Sequence, residues 1–243
     1  MTGRTAHMTS PTPTEAPASK TPDLYGWITA LSVLAALVPT VWTALDLQAA
    51  AIFAGPQAPL HAVNWWWVEW INGWIPAVFR VCLVIALLGL VAAHSHTRWK
   101  AWRLPLAFVV VAGVLGPGMV VNWGFKENWQ RARPYQVENF GGTQKFSRAA
   151  VPSDQCNNNC SFVSGHVSCG VFLISLGLVH RRRQRLWAVV GVVSGLVIGF
   201  ARMADVAHWF SDVLWAFPIT LLTSWLVWKF LLLIYRSPSP TVG

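Results

Sequence analysis

Long apolar runs dominate the chain, each carrying at most one Asp, Glu, Lys or Arg, at residues 27–45, 75–93, 104–123, 163–179, 186–203 and 213–235. Each is close to the roughly 20 residues an α-helix needs to cross the hydrocarbon core of a bilayer. Backbone placed in hydrocarbon must satisfy its own N–H and C=O groups, which leaves helices or closed barrels as spanning structures. A soluble domain would instead alternate apolar and polar positions on a helical or strand period. With 54% apolar and 11% charged residues over 243 positions, the composition agrees with a membrane protein. The expected fold is all-α, a polytopic bundle of about six transmembrane helices. The fourth run is the least regular, because it opens on Ser164, Gly165, His166 and Ser168 and leaves a short apolar remainder.

The formal charge of +9 would suit a nucleic-acid partner if it formed a patch on one folded face. Here many of the cations sit in short turns between apolar runs, at Arg98, Lys100 and Arg103 and at Arg181, Arg182, Arg183 and Arg185. Cytoplasmic loops of membrane proteins have this pattern, so no nucleic-acid partner is expected. Six spans then put both termini on the cytoplasmic side of the cytoplasmic membrane. The connections at 46–74, 124–162 and 204–212 face outward, to the periplasm. Residues 1–24, rich in Pro, Thr, Ser and Ala, read as a disordered cytoplasmic tail. Residues 25–236 form the membrane domain and 237–243 a C-terminal tail. The first run reads as a retained helix, being long for a signal sequence and preceded by little positive charge. Trp65, Trp66, Trp67, Trp70, Trp74, Trp123, Trp129 and Trp209 would line the outer interface, and residues 61–70 would lie along it.

Three clusters carry chemistry, and the topology puts all of them on the outer side. The first is Lys126-x6-Arg133-Pro134, the second Ser164-Gly165-His166, and the third Arg202-x5-His208-x3-Asp212. Charges at the rim of a membrane bundle are costly to desolvate, so their convergence from three regions calls for a ligand. Lys126, Arg133 and Arg202 bring three cations, and the arginine forks match phosphate oxygens. Ser164 and Gly165 add a hydroxyl and N–H groups at a helix N-terminus, where the dipole favours negative charge.

His208 and Asp212 stand four residues apart, on one face of a helix if the sixth span starts by Ala207 or His208. The carboxylate would then hold one ring nitrogen and leave the other free as a nucleophile. His166 would protonate the leaving alkoxide. Each feature alone has an ordinary explanation as a solvated loop charge, a satisfied interfacial histidine or a surface pair. Their common side and order do not. His166, His208 and Asp212 can also be read as zinc-type ligands, but three neighbouring cations would repel a divalent ion and can themselves hold transition-state charge. No metal or other cofactor is expected.

In order and spacing the clusters resemble the type 2 phosphatidic acid phosphatase superfamily, which shares its core with vanadium haloperoxidases. Its pattern is K-x6-RP, PSGH and SR-x5-H-x3-D, matched here at Lys126, Arg133, Pro134, Ser164, Gly165, His166, Arg202, His208 and Asp212, with Val163 and Ala201 as departures. The resemblance implies a phosphohistidine at His208, an acid at His166 and an orienting carboxylate at Asp212. A finer resemblance to the subgroup of bacterial lipid A phosphatases rests on Leu45-Asp46-Leu47, Phe140-Gly141-Gly142, Phe146 and Cys156-x3-Cys160-Ser161-Phe162.

It implies a membrane enzyme that hydrolyses a lipid phosphate or diphosphate, lipid A favoured. Undecaprenyl diphosphate and phosphatidylglycerophosphate remain alternatives, as do lipid phosphotransfer and a non-enzymatic anion-binding scaffold. Cys156 and Cys160 fall in an outward loop, where an oxidising compartment permits a disulfide.

Overall fold

The computed structural model describes residues 23–55 and 58–235, and the regular structure among them is helical. α1 (Leu24–Val41) is capped by Asp23, whose carboxylate accepts from the N–H of Gly26 at 3.2 Å. There follow α2 (Ala44–Ala51), α3 (Trp66–Ser95), α4 (Arg103–Gly113), a single turn α5 (Lys126–Trp129), α6 (Gly165–Val179), α7 (Gln184–Ala204) and α8 (Phe210–Tyr235). A π-helical stretch, Val114–Phe125, joins α4 to α5 and contains Pro117, which has no N–H to give to the helix ladder. The tails expected at 1–24 and 237–243 lie outside the described residues, apart from Asp23 and Leu24, which start α1.

Among the described residues, five helical segments are long and apolar enough to span a bilayer, and α6 is the short sixth. At 15 residues it is about 22 Å long, against a hydrocarbon core of about 30 Å. Its position explains its composition. α6 is the central helix, buried on Val167, Ser168, Val171, Ile174, Ser175 and Leu178 and packed by α1, α3, α4, α7 and α8. Polar side chains are tolerated there because they are hydrogen-bonded to protein. Tyr25 on α1 donates to the carbonyl of Leu221 on α8 at 2.8 Å and lies 3.2 Å from the hydroxyl of Ser175 on α6. The lipid-facing surface belongs to the others; Leu31, Ile85, Leu88, Val189 and Leu233 are exposed apolar residues.

Lipid gives little drive to helix association, so close backbone approach has to supply it through packing. Gly191, Gly195 and Gly199 recur every fourth residue on α7 and supply that approach. A Cβ on Gly191 would fall 2.5 Å from the backbone nitrogen of Ile174 on α6, and one on Gly195 would meet Phe217 of α8 at 2.6 Å. One face of α7 thus serves both neighbours.

Several expected boundaries shift. The first span ends at Val41, and the chain restarts as α2, which carries Asp46 into the interior. Of residues 61–70 only 61–65 stay outside the third helix, because the helix that was expected from residue 75 already begins at Trp66. Trp209 and Trp129 leave the lipid interface for protein contacts. Trp209 is 1% exposed and packs on Phe146, and Trp129 stacks on Phe162 at 5.2 Å.

Gly191→Ala should lower the thermal stability of the detergent-solubilised protein, by about 1–3 kcal/mol for overpacking a close helix contact. Gly73→Ala, where a Cβ meets nothing within 4 Å, should be neutral or slightly stabilising in the same melting experiment.

Candidate active site

The loop between α5 and α6 covers one end of the bundle, and its anchor is Arg131, which is 0% exposed. One fork nitrogen, Nη2, donates to Asp46 Oδ2 at 2.7 Å, and Nη1 donates to Asp212 Oδ1 at 2.5 Å. Nε donates to the carbonyl of Ser147 at 2.9 Å. Asp46 also accepts from the backbone N–H and hydroxyl of Ser211, at 2.8 and 2.6 Å. The guanidinium lies against the rings of Trp209 and Phe146, at 5.3 and 5.7 Å. Phe146 is brought there by a tight turn in which Gly141 has φ +91° and a Cβ on Gly142 would collide with the backbone of Gln136. A buried guanidinium between two carboxylates is stable only with such complete pairing.

His208 sits in the turn between α7 and α8, two residues before α8 begins. That position changes the expected role of Asp212. The ring Nδ1 meets the carbonyl of Ser161 at 2.7 Å, whereas the Asp212 carboxylate stands 3.8 Å away. A carbonyl only accepts, so Nδ1 carries the hydrogen and Nε2 holds the lone pair. Asp212 instead accepts from the Ser161 hydroxyl and from the backbone N–H of Trp209, the latter at 2.9 Å. It orients His208 through the two segments that flank the ring. Burial, followed by the charges of Arg202, Lys126, Arg133 and His166, holds the His208 imidazole well below its ordinary pKa. The ring is therefore neutral, and Nε2 is buried with no protein partner.

The cations are positioned from below and above. Lys126 Nζ donates to Asn159 Oδ1 at 3.2 Å, and Arg133 Nε and Nη2 both donate to the carbonyl of Asn159, at 3.1 and 2.7 Å. Asn159 lies in the ring closed by the Cys156–Cys160 disulfide, whose Cα atoms are 5.7 Å apart. Arg202 Nη1 donates to Asn72 Oδ1 and to Asp205 Oδ2, each at 2.9 Å, while its Nε is buried and unpartnered. His166 Nε2 donates to the carbonyl of the same Asn72 at 3.1 Å. Ser164 caps α6 with its backbone alone, which leaves its hydroxyl buried and free. A Cβ on Gly165 would come 2.7 Å from Asn122 Oδ1, so a larger residue there would have to displace the Asn122 side chain.

All the expected residues meet at this end except that Asp212 reaches His208 only indirectly. Asp46, Asn72, Asn159 and Ser161 complete the arrangement without having been singled out as site residues. Asp46 had a signal, being a lone acid beside an apolar run. Asn72 and Asn159 act through amides and carbonyls and Ser161 through its carbonyl and hydroxyl, groups too common in a sequence to stand out. Among the described residues, no three His, Cys, Asp or Glu side chains converge as metal ligands.

Replacing Arg131 by Leu leaves two facing carboxylates buried without a cation. It should cost about 3–5 kcal/mol, seen as loss of folded protein on size exclusion. A second outcome concerns pH. The folded pKa of His208 is depressed, so below the ordinary histidine value of about 6.5 the unfolded chain binds the extra proton and stability falls. Melting temperatures taken from about pH 7 down to pH 5 should drop less for His208→Gln than for the wild type.

Residues 102–235 match the family model described as the PAP2 superfamily. A lipid A 4'-phosphatase of Francisella tularensis subsp. novicida is 35% identical over 70% of this chain and 75% of its own length. One from Rhizobium leguminosarum is 32% identical over 57% of this chain and 60% of its own length. The crystal structure of a transmembrane PAP2-type phosphatidylglycerolphosphate phosphatase from Bacillus subtilis aligns at 21% identity with a TM-score of 0.48, covering 87% of this chain and 100% of that one. The family match spans more than half of the chain and includes every residue of the three clusters, so this multi-pass membrane protein belongs to the PAP2 superfamily and is a phosphatase.

Proposed function

We propose that the chain removes phosphate from a phosphorylated lipid through a phospho-His208 intermediate, with the active site at the outer face of the cytoplasmic membrane. One observation carries this reading. Ser164 Oγ, Arg202 Nε and His208 Nε2 are buried without a hydrogen-bond partner, and all three belong to the clusters described above. Buried polar atoms are ordinarily satisfied. A phosphoryl group satisfies these three together, with oxygens for the hydroxyl and guanidinium and phosphorus for the ring nitrogen. The relatives named lipid A 4'-phosphatase support a phosphorylated glycolipid as substrate. The basic turns at Arg98–Arg103 and Arg181–Arg185 support a cytoplasmic position for the opposite end.

Lys126, Arg133 and Arg202 hold the non-bridging oxygens and take up the charge that grows in the transition state. His208 Nε2 attacks phosphorus in line with the leaving oxygen, while Nδ1–H stays on the Ser161 carbonyl. His166, protonated beside the bound phosphate anion, gives that proton to the departing alkoxide as the P–O bond breaks. The neutral His166 then takes a proton from water, whose oxygen attacks phosphorus and breaks the N–P bond. Inorganic phosphate leaves and both rings return to their starting forms.

His208→Ala should keep the fold and lower phosphate release from the lipid at least about a thousandfold. Wild-type protein mixed with phosphate-labelled lipid and quenched in alkali, where the acid-labile N–P bond survives, should carry label on His208. Turnover by the alanine variant, or labelled product with no label ever on His208, rules the mechanism out.

A further inference from the structure

Arg80 is a charged residue within the long apolar helix α3, and the catalytic arrangement does not use it. It lies eight residues past Asn72, about 12 Å further into the membrane along α3. No carboxylate among the described residues pairs with it. An ionised side chain at that depth is retained only when something there needs it. The helix itself packs loosely, with 6% of its most apolar stretch buried.

Arg80 opens onto a cleft of about 260 Å³ between α3 and the π-helical stretch, lined also by Phe79, Pro117, Asn122 and Cys169. Two of these residues tie the cleft to the catalytic end. Asn122 Oδ1 packs against Gly165, the first residue of α6. Cys169 lies one turn beyond His166 on the same helix. Side chains on a helix lean toward its N-terminus, and arginine reaches from apolar depth toward the polar interface. The N-terminus of α3 is at the catalytic end, so that lean is toward the polar end of the bundle, where Arg80 shares the cleft with Cys169. A second, almost wholly apolar cleft of about 180 Å³ lies on the other side of Phe79, between α3, α6 and α7. A cation lining one cleft, with a second apolar cleft beside it and Cys169, one turn from His166, shared by both, is complementary to an anionic lipid.

We propose that Arg80 forms a second anion subsite, which takes the non-reacting phosphate of a lipid that carries two, while the acyl chains occupy the clefts flanking Phe79. This rests on the lipid-phosphatase reading above and adds a determinant of which lipid is preferred. The site at Lys126, Arg133 and Arg202 binds the phosphate that is cleaved. Arg80 binds the one that stays, and so favours doubly over singly phosphorylated lipid.

The test uses the full chain in nanodiscs and two glycolipids with identical acyl chains, one bearing two phosphates and one bearing one. Arg80→Gln should raise KM for the doubly phosphorylated lipid about tenfold, as expected for losing one charge-assisted hydrogen bond. It should leave kcat, and both constants for the singly phosphorylated lipid, unchanged. Arg80→Lys should restore most of the preference. An equal loss on both lipids marks Arg80 as structural or as a site for bulk lipid, and no loss on either removes it from substrate binding; both overturn the proposal. If the wild type hydrolyses neither lipid, the phosphatase reading is what fails, and retention of the two lipids by native mass spectrometry decides the subsite alone. Preferential retention of the doubly phosphorylated lipid that disappears in Arg80→Gln supports it, and equal retention overturns it.

Discussion

A guanidinium with no exposure to solvent, held between Asp46 and Asp212, is the contact through which the rest of the catalytic end is organised. It joins α2, the loop after α5 and the first turn of α8, which are far apart in sequence. Each ion of the set would be costly to bury alone, and the cost is offset only when Ser147, Ser211 and the two carboxylates give every nitrogen of Arg131 an acceptor. Such pairing is directional. It sets the height of the covering loop over the bundle, and with it the Ser161 carbonyl that selects the tautomer of His208.

The site is thereby built in two layers with different chemistry. The lower layer is fully satisfied and acts as a frame of ion pairs and aromatic contacts around Arg131, Asp46, Asp212 and Trp209. The upper layer is deliberately incomplete, with cations held by carbonyl and amide oxygens of Asn72 and Asn159 and not neutralised by a carboxylate, apart from Asp205 beside Arg202. Neutral acceptors orient a cation without cancelling its charge, so the positive field is kept for a ligand. The same field, together with burial, keeps His208 unprotonated.

Much of this was legible in the sequence because charge is rare in a membrane chain and therefore conspicuous. Lys126, Arg133, His166, Arg202, His208 and Asp212 stood out for that reason, and the structure brings them to one end. What was not legible depended on tertiary placement. The distance from Asp212 to His208 turned on whether α8 began at residue 208 or 210, a margin finer than apolar patterning can give. Asn72 was hidden because a helix expected from residue 75 starts at Trp66, which moves a neutral amide from a loop onto a helix facing Arg202. The glycine seam of α7 was not read from the sequence, because only its contact with Ile174 gives the spacing a meaning.

The shortness of α6 has a consequence for how the reaction is counted. A central helix about 8 Å shorter than the hydrocarbon thickness cannot bring both of its ends to the two surfaces. The covering loop closes the space above it, and α3 stands loosely beside it. With His208 as the proposed nucleophile, a lipid phosphate that enters beside α3 travels within the leaflet, still attached to its lipid. The quantity that governs turnover is then the number of substrate molecules per unit area of membrane, and dilution by other lipids slows the enzyme even when the amount of substrate per litre is unchanged.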